Sequence, residues 1–132
     1  MEETRKFAAV VMKLTPEELE TRKPIWDAMQ MVWMDTDIET EIEKIVTVCA
    51  KSDFALSELE AIYWDEVSPI VKSNMLVPVA PEWAGYDIDW LSGKIIDRLN
   101  NQKPSKRRWL SNYSERNWRK IEAAVLEARG LS

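Results

Sequence analysis

Apolar residues recur along most of this chain at intervals of three, four and seven, the spacing that places side chains on one face of an α-helix. The spacing predicts a first helix over 4–14, whose apolar face is Phe7, Val10, Val11 and Leu14. A Thr, a Pro and two Glu at 15–18 predict the start of a second helix. Pro24 should break or kink that helix near 22–23, because a proline inside a helix removes one hydrogen bond and clashes with the preceding turn.

The next two segments are strongly apolar and should form the centre of the core. The first is a short helix over 24–34, carrying Ile25, Trp26, Met29, Val32 and Trp33. The second begins at 35–37 and runs to about Lys51, with an inward face of Ile38, Ile42, Ile45 and Cys49. Cys49 is therefore predicted to be a core residue.

Three further segments complete the pattern. Ser57 and Glu60 match a capping box that opens a helix carrying Leu59, Ile62, Tyr63 and Val67 inward, and Pro69 should kink or end it. Residues 75–86 should form a loop, and Asp87 or Asp89 should cap a helix through Trp90, Leu91, Ile95, Ile96 and Leu99. The last helix should run from Ser111 or Ser114 to Arg129, stopped by Gly130, with Trp118, Ile121, Val125 and Ala128 aligned on one face. Trp64 should be the most exposed of the helical tryptophans.

Composition supports a single all-α domain over 1–132, an irregular bundle of five to seven helices. The chain is 45% hydrophobic and 31% charged, which is typical of globular proteins, and three glycines argue against a turn-rich β protein. Its apolar runs are far shorter than the ~20 residues of a membrane-spanning helix. The start lacks the pattern of a signal peptide and a lone cysteine fits a reducing compartment, so we expect a cytoplasmic protein.

The absence of histidine restricts the chemistry that this chain can perform. Histidine titrates near neutrality without help, and with cysteine it supplies most metal ligands and activated nucleophiles. Here there is no histidine and one cysteine, but there are seven tryptophans. We therefore expect a non-enzymatic protein without a cofactor. The acidic run at 35–37 is not followed by the Gly-turned loop and closing Glu of a calcium site, so we expect no metal either.

Charge is distributed unevenly along the chain. Residues 1–100 carry ten basic against twenty acidic side chains, whereas residues 101–132 carry eight against three. An acidic body can attract a basic partner and raise its association rate. The basic C-terminal part, a connection and helix at 103–132, could equally fold back onto that body.

Two groups of residues are candidate contacts for a protein partner. Asp35, Glu39 and Glu43 are spaced by four and should form an acidic stripe, which Asp37 and Glu41 widen. The alternative is a solvated face in which Asp35 and Asp37 stabilise the helix N-terminus. Glu82, Trp83, Tyr86 and Asp87 form the second group, where aromatic side chains on a loop could be binding residues or could plug the end of the bundle.

Glu66 and a basic patch need separate interpretations. Glu66 lies on the inward side of its helix, so we expect a buried structural carboxylate paired with Arg22, Lys23 or the backbone near Trp83, rather than a catalytic acid. The basic patch lies within 103–109 and is continued by Arg116, Arg119 and Lys120. It could bind nucleic acid, but the acidic body would repel nucleic acid. Intramolecular pairing and contact with a protein therefore rank above nucleic-acid binding. The patch comprises Lys103, Lys106, Arg107, Arg108 and Trp109.

Residues 20–98 carry an ordered series of short motifs. RKPIWDAM at 22–29 precedes WMDTD at 33–37, and LEAI at 59–62 precedes EVSP at 66–69. NML at 74–76 and EWAGY at 82–86 follow, with WL at 90–91. The series resembles a small bacterial family of unknown function with the pattern "iWxAlSxlFLDTE", "EVxP", "NLL" and "GEWAGFDxxWL". Met29 and Gln30 stand where that family often has Leu and Ser, and Pro81 stands where it usually has Gly.

The resemblance implies a function by association, because members of such families often accompany toxin genes as immunity proteins. We therefore expect this chain to bind and neutralise a bacterial toxin or effector domain through its acidic surface. The alternatives are an adaptor or regulatory protein that can form a homodimer, a nucleic-acid-binding protein that uses the basic C-terminal part, and a carboxylate-dependent enzyme built on Glu66, Asp35 or Glu82. We expect no contact with a membrane.

Overall fold

A computed structural model describes residues 14–34, 37–74, 85–101 and 112–130. In these ranges the chain forms five helical runs and no strand. The predictions of a single all-α domain and of five to seven helices are confirmed. The predicted helix over 4–14 lies outside the described residues, apart from Leu14.

Helix α1 (Pro16–Met29) begins where the sequence predicts. The Thr15 hydroxyl accepts a hydrogen bond from the Glu18 N–H (3.1 Å), and the Glu18 carboxylate accepts one from the Thr15 N–H (2.9 Å). The predicted break near 22–23 is wrong, because α1 continues through Pro24. Pro24 lies on the exposed side of the helix, and the buried side chains of Ile25 and Trp26 that follow it hold the turn in place.

The chain tightens after α1 instead of at the proline. Gln30–Trp33 forms a 3-10 turn, in which Val32 and Trp33 are buried with Gln30. The apolar segment over 24–34 is therefore core, as predicted, but it forms the end of α1 and this turn rather than a separate helix.

Helix α2 (Ile38–Lys51) is capped by Asp37, whose carboxylate accepts a hydrogen bond from the Glu39 N–H (3.2 Å). Ile42, Ile45 and Cys49 are buried, which confirms the predicted inward face, whereas Ile38 is half-buried. At the other end of α2, Arg129 donates to the carbonyls of Cys49, Ala50 and Ser52 at 2.9 to 3.2 Å.

The third helical run begins two residues earlier than predicted. Helix α3 (Leu56–Ala61) has Ala55 at its N-cap, and the Glu58 carboxylate accepts from the Ala55 N–H (2.8 Å). The predicted pair of Ser57 and Glu60 is therefore wrong, because Ser57 already lies inside the helix. The sequence pattern fits both registers, and the structure selects the one in which Glu58 faces the N-cap.

Pro69 does not end this run, because helical backbone continues on both sides of it. A π-helical segment (Ile62–Val67) precedes helix α4 (Ser68–Asn74), and the Ser68 N–H bonds to the Tyr63 carbonyl, five residues back. A proline ring clashes with the carbonyl four residues before it. The wider turn just before Pro69 provides the room that an α-helical turn lacks.

The last two helices end as the sequence predicts. Helix α5 (Ile88–Asn100) is capped by Asp87, which accepts from the N–H groups of Asp89 (3.0 Å) and Trp90 (3.2 Å). Helix α6 (Asn112–Ala128) is followed by Gly130, whose φ of 69° is the left-handed conformation common after helices.

An aromatic cluster joins the helical runs in the core. The ring of Tyr63 lies 5.0 to 5.2 Å from those of Trp33, Trp64 and Trp118. The Trp33 indole and the Tyr63 hydroxyl both donate to Ser114 of α6, at 2.9 and 2.7 Å. Trp64 is buried in this cluster, so its predicted exposure is wrong: the π-helical segment changes the angular spacing on which that prediction depended.

Candidate functional site

The carboxylates of the acidic stripe predicted on α2 do not all remain free at the surface. Glu39 and Glu43 lie on the outside of the helix, and Asp37 caps it. The Glu39 carboxylate accepts a hydrogen bond from Lys120 Nζ of α6 (3.0 Å), which links the two helices at the surface. Asp35 lies outside the described residues. We call Asp37, Glu39 and Glu43 the acidic face; its binding role stays a prediction.

A groove runs along the opposite flank of α2, between α2 and α1. It consists of two adjoining recesses of about 600 and 500 Å³. Pro24 and Val48 line both, so the two recesses adjoin at these two side chains. We call it the α1–α2 groove. Its other lining residues are Thr21, Ile25, Asp27, Ala28, Met31, Glu41, Lys44, Lys51, Ser52, Asp53, Phe54 and Glu58.

The groove has an apolar floor and a charged rim. Pro24 is exposed, and Val48 and Phe54 are half-buried, so apolar surface faces solvent along its length. No pattern in the sequence clearly indicates this groove, because it depends on residues from α1 and α2 that tertiary packing brings together. The exposed proline in the middle of α1 is the local sign that could have pointed to it.

Residues 85–87 fix the base of the predicted binding loop. Gln30 accepts a hydrogen bond from the Tyr86 N–H (2.6 Å) and donates to the Tyr86 carbonyl (2.9 Å). The Tyr86 ring stacks on Trp90 with centroids 4.6 Å apart. Gly85 has a φ of +78°, and a Cβ there would lie 2.9 Å from the Met31 sulfur, so a side chain at this position would be strained.

These contacts give structural roles to two residues of the second group of candidate contacts. Tyr86 is buried and Asp87 caps α5, which gives both of them structural roles in the described part of the chain. Glu82 and Trp83 lie outside the described residues, so their binding role stays a prediction. The structural role of Gln30 was not predicted, because its only sign in the sequence is a single amide within an apolar run.

Glu66 is the buried carboxylate that the sequence indicated. Its Oε1 accepts hydrogen bonds from the Trp26 indole N–H (2.8 Å) and from Arg22 Nε (3.3 Å). Burial raises the pKa of the Glu66 carboxyl, and the Trp26 and Arg22 donors act in the opposite direction. The predicted pairing with Arg22 is therefore present, and the same guanidinium lies 5.2 Å from the Phe54 ring centroid.

Arg119 and Lys120 of α6 form ion pairs within the molecule, whereas Arg116 is exposed. Arg119 bonds to Glu115 and Glu122 of its own helix, both at 3.1 Å, and Lys120 reaches Glu39 of α2. The contact of Lys120 is a pairing of the basic C-terminal part with the acidic body; binding of nucleic acid stays an untested alternative. The patch itself, Lys103, Lys106, Arg107, Arg108 and Trp109, lies outside the described residues.

The one cysteine of the chain is not exposed at the surface. Cys49 is buried, and burial raises the pKa of its thiol to about 12, so it stays protonated at neutral pH. Across the described ranges, no group of three or more Cys, Asp or Glu side chains could hold a metal ion. No described helix is long and apolar enough to cross a membrane.

Comparison with known proteins identifies one related family. The family model described as "Domain of unknown function (DUF7079)" matches residues 20–126. The match extends beyond the stretch 20–98 that carries the sequence motifs and includes most of α6. No curated protein and no solved structure matches the chain.

Proposed function

Because this chain belongs to the family of the domain of unknown function DUF7079, its function has to be argued from its own surface, and we propose that it is a non-enzymatic inhibitor that binds and neutralises a toxin domain. The observation that supports this most is the exposure of α2. One flank carries the acidic face and the other forms the α1–α2 groove, so a single helix presents carboxylates and apolar surface to the same partner.

The chemistry of the described residues favours binding over catalysis. The chain has no histidine, and its one thiol is buried and protonated. Glu66 has its Oε1 held by two donors within the core and is not open to a substrate at that oxygen. These groups stabilise the fold, whereas Glu39 and Glu43 of α2 are exposed.

The size of the exposed region also suits a protein partner. A typical specific interface buries about 800 Å² on each side, which a patch wider than one helix can supply. Helix α2 is about 20 Å long at 1.5 Å per residue and about 10 Å wide. Its outer surface and the groove beside it can therefore form the centre of such an interface.

Co-expression tests the proposal directly. The product of the gene immediately upstream of this one is expressed in a sensitive host, with and without this chain. We expect the chain to restore growth and to co-purify with that product. No rescue by the intact chain would contradict the proposal, and a concentration-dependent dimer in light scattering would then favour the adaptor alternative.

A double charge reversal tests the acidic face within the complex. We expect Glu39→Lys with Glu43→Lys to slow association about tenfold at low salt, because opposite charges steer the encounter, and the difference should shrink as salt screens it. Stopped-flow fluorescence measures the rate. Asp37 is left unchanged because it caps α2.

Two control variants separate charge steering from damage to the fold. Glu127→Lys reverses an exposed charge on α6, and its association rate should match that of the wild type. Lys120→Ala breaks the ion pair with Glu39 but makes the surface more acidic, so association should be unchanged or faster. Equal rates for the double reversal and the wild type would remove the acidic face from the interface.

A further inference from the structure

The floor of the α1–α2 groove is apolar where its two recesses meet. Pro24 and Val48 line both recesses, and Phe54 lines one of them. Pro24 is exposed and Val48 and Phe54 are half-buried in the described part of the chain, so covering their remaining apolar surface would contribute binding free energy of roughly 25 cal/mol per Å². A ligand that places aliphatic side chains along this floor would gain that contribution.

The rim of the groove carries more negative than positive charge. Asp27, Glu41, Asp53 and Glu58 line it, against Lys44 and Lys51. Lys44 Nζ lies 3.7 Å from the Glu41 carboxylate, so these two charges largely balance each other. Three acidic side chains then remain against Lys51. The rim therefore favours an occupant that carries Lys or Arg side chains.

The groove has the length of a short helix. From Thr21 to Met31 the lining spans ten residues of α1 and the turn after it, which is about 15 Å at 1.5 Å per residue. Helices pack into the furrow between two neighbouring helices by interdigitating their side chains. The described part of the fold offers no sheet edge that could accept an extended peptide instead.

We propose that the α1–α2 groove binds one basic amphipathic helix of the partner, two to three turns long. Its aliphatic side chains pack on Pro24 and Val48, and its Lys or Arg side chains pair with the rim carboxylates. The assignment rests on the proposed function in that the helix belongs to the neutralised protein, but the groove can be tested without that protein.

Three synthetic peptides of 12 residues serve as probes. The first has Leu at intervals of three and four with Lys on both flanks. The second has the same composition with Leu distributed around the helix, and the third has Glu in place of Lys. We expect fluorescence anisotropy to show that the first binds at least about tenfold more tightly than either control. Equal binding by all three would overturn the proposal.

Matched variants of the full chain locate the binding site. Val48→Gln places a polar side chain in the floor at a helical position that tolerates Gln, and we expect at least about fivefold weaker binding. Ala123→Gln makes the same type of change on the exposed side of α6 and should leave affinity unchanged. Asp53→Asn should weaken binding and reduce its salt dependence, whereas Glu127→Gln should do neither.

Peptide-induced changes in backbone amide chemical shifts should cluster at 21–31 and 44–54. Shifts confined to other helices, or equal losses for Val48→Gln and Ala123→Gln, would overturn the proposed groove. Normal rescue by Val48→Gln in the co-expression test would also overturn it, while leaving the inhibitor function standing. Failure of rescue by the wild type, with the peptide still bound at 21–31 and 44–54, would overturn only the inhibitor function.

Discussion

Glu66 is the side chain in which burial and charge conflict directly. Removing a carboxylate from water is costly unless donors replace the water, and here the donors are Trp26 and Arg22. The sequence indicated the conflict, because a glutamate occurs on the inward side of an apolar helix. It did not indicate which of the candidate partners reaches that position, because Arg22 is 44 residues away in the chain.

Two substitutions of Glu66 should distinguish the loss of its hydrogen-bond acceptor from the loss of its charge. Glu66→Ala leaves the Trp26 N–H without its acceptor and should reduce the free energy of unfolding by about 2 to 4 kcal/mol. Glu66→Gln keeps an oxygen acceptor and should lose much less. Urea unfolding followed by tryptophan fluorescence measures both. Equal stability of Glu66→Ala and the wild type would contradict a structural role.

Because the pKa of Glu66 is raised in the folded chain, the difference in stability between Glu66→Gln and the wild type should depend on pH. The folded chain holds this proton more tightly than the unfolded chain, so the stabilising contribution is complete below the unfolded pKa and is lost as pH rises through the folded one. Glu66→Gln cannot titrate. Its stability relative to the wild type should therefore be more favourable at pH 7 than at pH 4, and parallel pH profiles would contradict the assignment.

At the scale of whole helices, two prolines show where rules based on local sequence did not predict the structure. The sequence predicts interruptions at Pro24 and Pro69, yet α1 continues through the first and a π-helical segment absorbs the second. In each case buried neighbours, Trp26 and Val67, hold the backbone on course by packing. A helix in a protein is stabilised mainly by its buried face, so one lost hydrogen bond does not end it.

Replacing Pro24 by alanine measures how much the proline lowers the stability of α1. Alanine restores the N–H donor to the Glu20 carbonyl, which stabilises the helix, but it also gives the unfolded chain more conformational freedom, which lowers stability. We expect a net rise in the free energy of unfolding of about 1 to 2 kcal/mol. Thr21→Ala, on the same exposed side, should change stability by less than about 1 kcal/mol. Urea denaturation tests both.

The Pro24 substitution also connects stability with binding. If Pro24 is useful because it forms the groove, Pro24→Ala should weaken binding of the basic peptide while it stabilises the fold. A variant that is both more stable and binds as tightly as the wild type would show that the ring contributes nothing to the groove.

Across the whole molecule, the packing of α2 against α6 depends on apolar contacts more than on charge. Trp118, Ile121 and Val125 of α6 are buried, whereas the surface contact between Lys120 and Glu39 is exposed to solvent. Exposed ion pairs contribute little because water screens them and their long side chains lose freedom. The uneven charge of the chain therefore governs its surface and not its core.

Two adjacent positions on α6 test this ranking. Ile121→Ala should reduce the free energy of unfolding by about 2 to 5 kcal/mol, because it leaves a cavity, whereas Lys120→Ala should cost less than about 1 kcal/mol. Thermal unfolding followed by circular dichroism compares them. Equal losses would mean that the surface ion pair matters as much as the core contact.

Sequence periodicity determined the helical class, the inward faces of α2 and α6, and the caps at Thr15 and Asp87. These features depend on neighbours within about four residues, which the chain order specifies. Tertiary structure alone decided the burial of Trp64, the partner of Glu66, the clamp from Gln30 to Tyr86 and the α1–α2 groove. Each of these joins residues far apart in the chain, and their meeting depends on how the helices pack, which local spacing does not encode.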